Sequence, residues 1–241
     1  PLVEAMKGGK RVRPLILLLS YESVGGSDKD PYPAATAVEL IHLESLIHDD
    51  LIDEDTVRRK RKSFHIANKK EMTILSADFI LSIILKLSSN DPDPRITNIL
   101  SQTVSEMSEG ELEEIKCFHQ NKNPNIDQYL KIVEKKTATL FEASAEIGAI
   151  LGEAPSKERK MLSRYGKALG IAYQIEDDLS DMEDSQKYDL TNILEFNGEN
   201  RQMLENKSKK YIEKAKDTLK YINSSNEKDI LFNLTEKARP H

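Results

Sequence analysis

The chain has 241 residues and a mass of 27.4 kDa, which is long enough to bury one sizeable hydrophobic core. Its formal net charge is −6, which argues against a generic nucleic-acid coat because such a surface is basic. The one cysteine, Cys117, excludes an internal disulfide and a cysteine-only metal site, and is typical of a reducing compartment.

Apolar residues recur at three- and four-residue spacings without sustained alternation, so the sequence predicts a chain that is nearly all helix. The predicted helices run over residues 31–53, 72–87, 95–117, 126–151, 156–181 and 201–221, and a short one follows from residue 227. The separators are a basic linker at residues 58–62, a breaker at 90–94 and Gly152 as the C-cap of the fourth helix.

Long helices joined by short loops favour antiparallel neighbours in one bundle. A helical-repeat array is the structural rival, but no fixed period supports it. We therefore predict an all-α, single-domain antiparallel helical bundle over residues 1–241. The longest apolar stretches, residues 15–19 and 79–85, are too short to cross a bilayer and no signal peptide is visible, so we expect a cytoplasmic protein without a transmembrane segment.

Two aspartate-rich motifs follow apolar helical stretches. The first acidic motif is residues 49–53, with Asp49, Asp50 and Asp53, and the second acidic motif is residues 177–181, with Asp177, Asp178 and Asp181. In each motif the first and last aspartates are four residues apart, which places both on one face of a helix. Either motif alone is most simply a solvated helix face. Together they predict two walls of one metal-filled cavity.

Crowded carboxylates beside a core helix repel one another and lose solvation, and a divalent cation removes that cost. Oxygen ligands favour a hard ion, and Mg²⁺ is held by a few carboxylates with waters and phosphates. The basic residues Lys10, Arg11, Arg13, Arg58 and Arg59 provide what a diphosphate needs beside such a metal. A nucleic-acid patch at residues 58–62 is disfavoured because no aromatic stacking platform accompanies it.

Residues 8–14, 39–42 and 45–53, then 58–59 with 63–65, 77–79, 136–138 and 174–178, closely resemble the motifs of the trans-isoprenyl diphosphate synthases, in the same order. The similarity spans roughly residues 8–190. It implies the isoprenoid synthase bundle with a central cavity, and a homodimer packed through bundle helices. It also implies helices before Gly8 that this sequence lacks, so we expect a truncated N-terminus.

The resemblance implies roles for residues at matching positions. Asp49 and Asp53, with Asp50 close by, are expected to hold Mg²⁺ from one side, and Asp177 from the other with Asp178 and Asp181 in support. Arg58 is expected to grip an allylic diphosphate. The expected isopentenyl diphosphate pocket consists of Lys10, Arg13, His42 and Arg59. The residues expected to line the allylic site and face a developing carbocation are Lys136, Thr137 and Gln174.

The implied reaction is a head-to-tail condensation of isopentenyl diphosphate with a dimethylallyl, geranyl or farnesyl diphosphate. The expected product is a trans-polyprenyl diphosphate, with geranylgeranyl diphosphate as the default. Glu44 and Ser45 occupy the positions five and four before Asp49 where short-chain members often carry an aromatic residue, which weakens a short-product interpretation. Glu44 in an apolar tunnel would need a partner, a rotated helix or a tunnel floor elsewhere.

Two alternatives remain at this point. An inactive or regulatory subunit of a heteromeric synthase is one, because the segment after Asp181 is shorter than in the family and Lys187 is a weak candidate for a missing cation. A terpene cyclase is the other, but its second metal motif requires Ser/Thr and Glu at fixed offsets. That pattern is not met at Asp181 and Ser185.

Overall fold

A computed structural model describes residue 2 and residues 6–58, 61–119, 124–181 and 198–237. Within these ranges the helices, numbered in chain order, are α1 (Val12–Ser23), α2 (Tyr32–Ile52), α3 (Phe64–Asn68), α4 (Lys70–Ser89), α5 (Pro94–His119), α6 (Ile126–Val133), α7 (Thr139–Leu151), α8 (Ser156–Asp181), α9 (Gly198–Leu219) and α10 (Asn226–Lys237). A π-helical turn, Glu134–Ala138, joins α6 to α7 and is called the π turn below. A small hairpin pairs β1 (Val57–Arg58) with antiparallel β2 (Arg61–Lys62). The predicted all-α fold class is confirmed.

Helix α7 is the centre of the bundle. Eleven of its 13 residues are buried, which is expected only of a helix surrounded on all sides. Leu140 and Ile147 pack in a core with residues of α1, α2, α4 and α5. Phe141 packs in a second core with residues of α1, α8, α9 and α10. The two cores therefore share α7 and α1, which fixes α2 and α8 relative to each other.

Several elements were not predicted. The apolar stretch at residues 15–19 lies inside α1, and the basic linker forms the small hairpin with Val57 opposite Lys62. The predicted helix over residues 126–151 is interrupted by the π turn, where one turn is wider than in an α-helix. The hairpin and the π turn do not produce a regular spacing of apolar residues in the sequence. The periodicity that predicted the helices therefore could not predict these two elements.

Gly152 follows α7 as predicted, but for a different reason than expected. Its φ is −76°, and Glu153 is the residue in the left-handed region, with φ 57°. A Cβ atom on Gly152 would lie 2.5 Å from Cγ2 of Val24 and 2.8 Å from the carbonyl oxygen of Tyr21. The glycine is therefore required for the close approach of α7 to the end of α1 rather than for a left-handed cap.

Helix α4 has one buried and one exposed apolar face. Ala77, Ile80 and Ile84 are buried in the core, whereas Leu75 and Phe79 are 63% and 57% exposed. An 18-residue window of this helix has a mean hydropathy of 1.6 and is 33% buried, so α4 passes a length-and-composition test for a membrane span. That test is weak for a single helix, because core helices of globular proteins also pass it.

Candidate active site

One large cavity, of about 1210 Å³, lies among α2, α5, α8, the π turn and the residues that precede α1. Its lining includes most of the predicted site residues, namely Lys10, Arg13, His42, Asp49, Asp53, Arg58, Lys136, Thr137, Gln174, Asp177 and Asp178. These residues come from distant parts of the chain. The bundle therefore brings both acidic motifs and the predicted cationic residues to one space.

The first acidic motif lies at the C-terminal end of α2. Asp49 and Asp53 are one turn apart, the N–H of Asp53 donates to the carbonyl of Asp49 over 2.9 Å, and both residues line the cavity. Burial raises the pKa of Asp49 to about 7; Lys136 opposes this rise, and the carboxylates of Glu111 and Asp53 add to it. The ionised carboxylate of Asp49 is therefore destabilised unless a cation lies close to it.

Asp50 is the one predicted metal ligand among the described side chains that does not line the cavity. It is buried, and its Oδ1 accepts a hydrogen bond from Nε of Arg58 over 2.5 Å. Arg58 also reaches Asp55, with 3.4 Å between Nη2 and Oδ2. The middle aspartate thus faces the hairpin and holds Arg58, which does line the cavity.

The second acidic motif lies on the last turns of α8. Asp177 is exposed and lines the cavity, whereas Asp178 is buried. Asp178 accepts hydrogen bonds from the hydroxyl of Tyr129 and, over 2.7 Å, from the side-chain amide of Gln174. Tyr129 is fully buried in α6, and no sequence motif pointed to it. In each motif the middle aspartate therefore holds a neighbouring side chain.

Gln174 connects α8 to the π turn. Its Oε1 accepts a hydrogen bond from the hydroxyl of Thr137 over 2.9 Å, while its amide nitrogen donates to Asp178. The two bonds fix which end of the Gln174 amide faces Thr137. The amide oxygen and the Thr137 hydroxyl consequently lie together on the cavity wall.

Lys136 lies on the π turn, and its side chain lines the cavity. Its Nζ is 2.7 Å from Oε2 of Glu111 and 2.8 Å from Oε2 of Glu114, and it also interacts electrostatically with Asp49. Burial disfavours the ammonium, but these three carboxylates outweigh it and raise the pKa of Lys136 above its ordinary value. Glu111 and Glu114 were missed in the sequence, where they stand in a run of glutamates typical of a polar helix face.

The cationic residues at the start of α1 form another part of the lining. Nζ of Lys10 lies 3.3 Å from the Tyr173 hydroxyl, and the guanidinium of Arg13 lies over the Phe141 ring at 4.6 Å. Hydrogen bonding to Tyr173 raises the pKa of Lys10. Arg11, which the sequence grouped with these cations, also lines the cavity and is ion-paired with Glu39 on α2.

Helices α2 and α5 also give the cavity a set of apolar lining residues, called the apolar section below. The apolar lining residues there are Ile41, Leu46, Val104, Met107, Leu112 and Ile115. Glu44 also lines this section, and its Oε1 lies 3.4 Å from Nδ1 of His48. Burial raises the pKa of Glu44, and His48 opposes that rise. The carboxylate expected to need a partner therefore has one.

Some predicted positions fall outside the described residues. These are Arg59 and the segment 185–192 with Lys187. Asp181 is the last residue of α8, and only its backbone is described. Their predicted roles stay predictions.

The carboxylates of the two acidic motifs fit a Mg²⁺ ion whose shell is shared with a phosphate ligand. In the part of the chain that the structure describes, no three His, Cys, Asp or Glu side chains converge as they would around one metal ion. Mg²⁺ usually takes one or two carboxylates and completes its shell with water and phosphate oxygens. The donors Asp49, Asp53 and Asp177 fit that kind of shared site, and the raised pKa of Asp49 indicates a carboxylate that a cation would stabilise.

The fold and the cavity together define a class: all-helical proteins whose central cavity is lined by two aspartate motifs from different helices. The family model described as polyprenyl synthetase matches residues 1–192, and the chain belongs to that family.

Curated relatives and solved structures agree with this membership. The chain is 40% identical over 186 residues to a geranylgeranyl diphosphate synthase of Methanosarcina mazei, covering 75% of this chain and 56% of the relative. It is 34% identical over 176 residues to an octaprenyl diphosphate synthase of Escherichia coli, covering 72% and 54%. A decaprenyl diphosphate synthase from Rhodobacter capsulatus superposes with a TM-score of 0.87 at 25% identity, covering 98% of this chain and 86% of that chain. The chain thus spans little more than half the length of the two curated relatives.

Proposed function

We propose that this protein is a Mg²⁺-dependent trans-prenyltransferase that condenses isopentenyl diphosphate with an allylic diphosphate, with geranylgeranyl diphosphate as the default product. The observation that carries the proposal is that Asp49 and Asp53 on α2 line the same cavity as Asp177 on α8. Cationic residues and an apolar section complete that cavity, as a diphosphate with a hydrocarbon tail requires. The names of the relatives support the same reaction.

The metal would be held by Asp49 and Asp53 from one wall and Asp177 from the other, with Asp181 expected in support. When bound, Mg²⁺ neutralises the charge that develops on the leaving diphosphate. Asp50 and Asp178 contribute indirectly in this proposal, because their carboxylates already hold Arg58 and Gln174.

Two groups of basic residues bind the two substrates. Arg58, aimed by Asp50, grips the allylic diphosphate with charge-assisted hydrogen bonds. Lys10, Arg13 and His42, which line the same cavity, form the isopentenyl diphosphate pocket, and Arg59 is expected to join them. Holding the isopentenyl double bond against the allylic carbon then supplies much of the rate enhancement by positioning.

The Thr137 hydroxyl and the Gln174 amide oxygen face the allylic carbon as positive charge develops there. Both oxygens are oriented by hydrogen bonds, and neither is a strong nucleophile, so they can stabilise a cation without capturing it. The pyrophosphate that leaves the allylic substrate takes the proton released in the condensation. The growing chain extends into the apolar section between α2 and α5.

Pyrophosphate release by the purified chain tests the proposal. Release should require Mg²⁺ and both substrates, and Asp49→Asn and Asp177→Asn should each lower the rate by at least about 100-fold, as loss of electrostatic stabilisation does. Asp217→Asn, an exposed carboxylate on α9 that does not line the cavity, is the matched control and should keep wild-type activity. Unchanged turnover in Asp49→Asn would refute the assignment. Activity that appears only on adding a second subunit would favour the regulatory-subunit alternative.

The protein is also proposed to be a cytoplasmic homodimer. The support is the exposed apolar face of α4, because a contiguous apolar surface on a globular protein marks an interaction site. A second copy of the chain would bury this face against its equivalent in a two-fold interface.

A further inference from the structure

Lys136 is held on the cavity wall by two carboxylates from another helix. Glu111 and Glu114, three residues apart on α5, approach its Nζ at 2.7 Å and 2.8 Å. The side chain of Glu114 is only 9% exposed and that of Lys136 is 24% exposed, so solvent screens this ion pair weakly. All three residues line the cavity, which places the ammonium beside the first acidic motif.

Close packing of α5 on the π turn makes this arrangement possible. A Cβ atom on Gly110 would lie 2.7 Å from the backbone nitrogen of Lys136 and 2.9 Å from Cβ of Lys135. Any larger residue at position 110 would therefore separate the two elements. The glycine directly before Glu111 lets both glutamates reach Lys136.

A similar ion pair on the same two elements lies outside the cavity. Nζ of Lys135 is 3.1 Å from Oε2 of Glu109 and 2.7 Å from Oε1 of Glu113. None of these three residues lines the cavity. The chain thus has two lysine–glutamate clusters on the same two elements, and only one of them borders the site.

We propose that Glu111 and Glu114 are positioning residues for Lys136, holding its ammonium beside Asp49 on the cavity wall that is expected to line the allylic site. This inference rests on the proposed function for its kinetic consequence. The lysine ammonium is carried on a flexible four-carbon side chain. Without the two glutamates it could turn and form an ion pair with the Asp49 carboxylate. When the two glutamates hold it, the Lys136 ammonium stays at a fixed position from which it can bind the diphosphate oxygens of the substrate.

The kinetic test is a mutant cycle. Glu111→Gln/Glu114→Gln should lower kcat by about 10- to 100-fold, as a small misplacement of a catalytic group does, with the KM for isopentenyl diphosphate within about twofold of wild type. Lys136→Met should lower kcat similarly, and adding the two glutamine substitutions to Lys136→Met should cause no further loss. Additive losses would overturn the proposal, because the glutamates would then act on the reaction independently of Lys136.

The matched control is Glu109→Gln/Glu113→Gln, which removes the outer cluster from the same helix. It should leave kcat within about twofold of wild type, since it touches the packing of α5 but not the cavity. An equal loss in both double variants would show that the glutamates serve only packing. If the inner double variant does not fold, the single variants Glu111→Gln and Glu114→Gln test the same prediction.

A second measurement does not depend on activity. Acetylation by an N-hydroxysuccinimide ester, followed by peptide mass spectrometry, should label Lys136 at least about fivefold faster in Glu111→Gln/Glu114→Gln than in wild type, because the restrained ammonium is released. The outer double variant should accelerate Lys135 instead. Equal Lys136 labelling in all proteins would overturn the positioning role. A wild-type protein that condenses no substrate but shows this labelling pattern would refute the proposed function alone.

Discussion

Nε of Arg58 donates a hydrogen bond to Oδ1 of Asp50 over 2.5 Å, so the middle aspartate of the first acidic motif binds the hairpin and not the cavity. In the second motif the middle aspartate, Asp178, also binds neighbouring side chains, Tyr129 and Gln174, but it lines the cavity together with Asp177. In both motifs the middle aspartate therefore supports a neighbouring side chain.

Asp50→Asn should weaken the grip of Arg58 on the allylic diphosphate. A charge-assisted hydrogen bond is worth about 1.5–3 kcal/mol, so KM for that substrate should rise about 10-fold or more. The loss in kcat should be smaller than in Asp49→Asn. Steady-state kinetics at varied concentrations of the allylic substrate separates the change in KM from the change in kcat. Asp55→Asn is the control, because its 3.4 Å contact with Arg58 is exposed and should matter little. Equal effects in both variants would contradict the orienting role of Asp50.

Glu44→Phe should shorten the product. Glu44 lines the apolar section of the cavity, and a phenyl ring there occupies space that the growing chain would use. Glu44→Leu is the matched variant that removes the charge without adding an aromatic ring, and it should keep or lengthen the product. Chromatography of dephosphorylated products, with farnesyl diphosphate as primer, measures both. An identical product distribution in wild type and Glu44→Phe would place the tunnel end elsewhere.

The metal-free protein should lose stability relative to Asp49→Asn as pH rises. Burial raises the pKa of Asp49 to about 7 from an ordinary value of 3.8. A raised pKa means that the folded state favours the protonated acid. Its contribution to the free energy of unfolding is therefore complete below about pH 4 and is lost as pH rises through about 7.

Urea unfolding in EDTA at pH 5 and pH 8 measures that difference. The free energy of wild type minus that of Asp49→Asn should be smaller at pH 8. Asp93→Asn is the control: a hydrogen bond from Arg95 lowers the pKa of Asp93 to about 2, so its contribution should not change between these two pH values. A wild-type minus Asp49→Asn difference that is constant between pH 5 and 8 would contradict the prediction.

Leu75→Glu/Phe79→Glu should convert the proposed dimer to a monomer. Both side chains lie on the exposed face of α4, and burying two carboxylates against an apolar partner costs several kcal/mol, which should raise the dissociation constant by at least about 100-fold. Light scattering after gel filtration gives the mass, and circular dichroism checks that the fold is kept. Lys160→Glu, an exposed change on α8 and not on this face, should remain dimeric. A monomeric wild type would refute the dimer.

Most helices were predictable because their apolar periodicity survives in the sequence. The predicted helix over residues 156–181 coincides with α8, and that over 95–117 lies within α5. The hairpin and the π turn were not predictable, since they depend on backbone pairing and on α5 packing against residue 136. The glutamates show the same limit: Glu109, Glu111, Glu113 and Glu114 look alike in sequence, and only the rotation of α5 determines which of them reach Lys136.

By itself the sequence determined the helical content, the two aspartate motifs and the family resemblance, because these depend on local periodicity and residue identity. The tertiary structure alone decided that Asp49, Asp53 and Asp177 share one cavity, that Asp178 binds Tyr129 of α6, and that Glu111 and Glu114 reach Lys136. Each of these contacts depends on how helices far apart in the chain rotate and pack against α7. That is a property of the assembled core and not of any local segment.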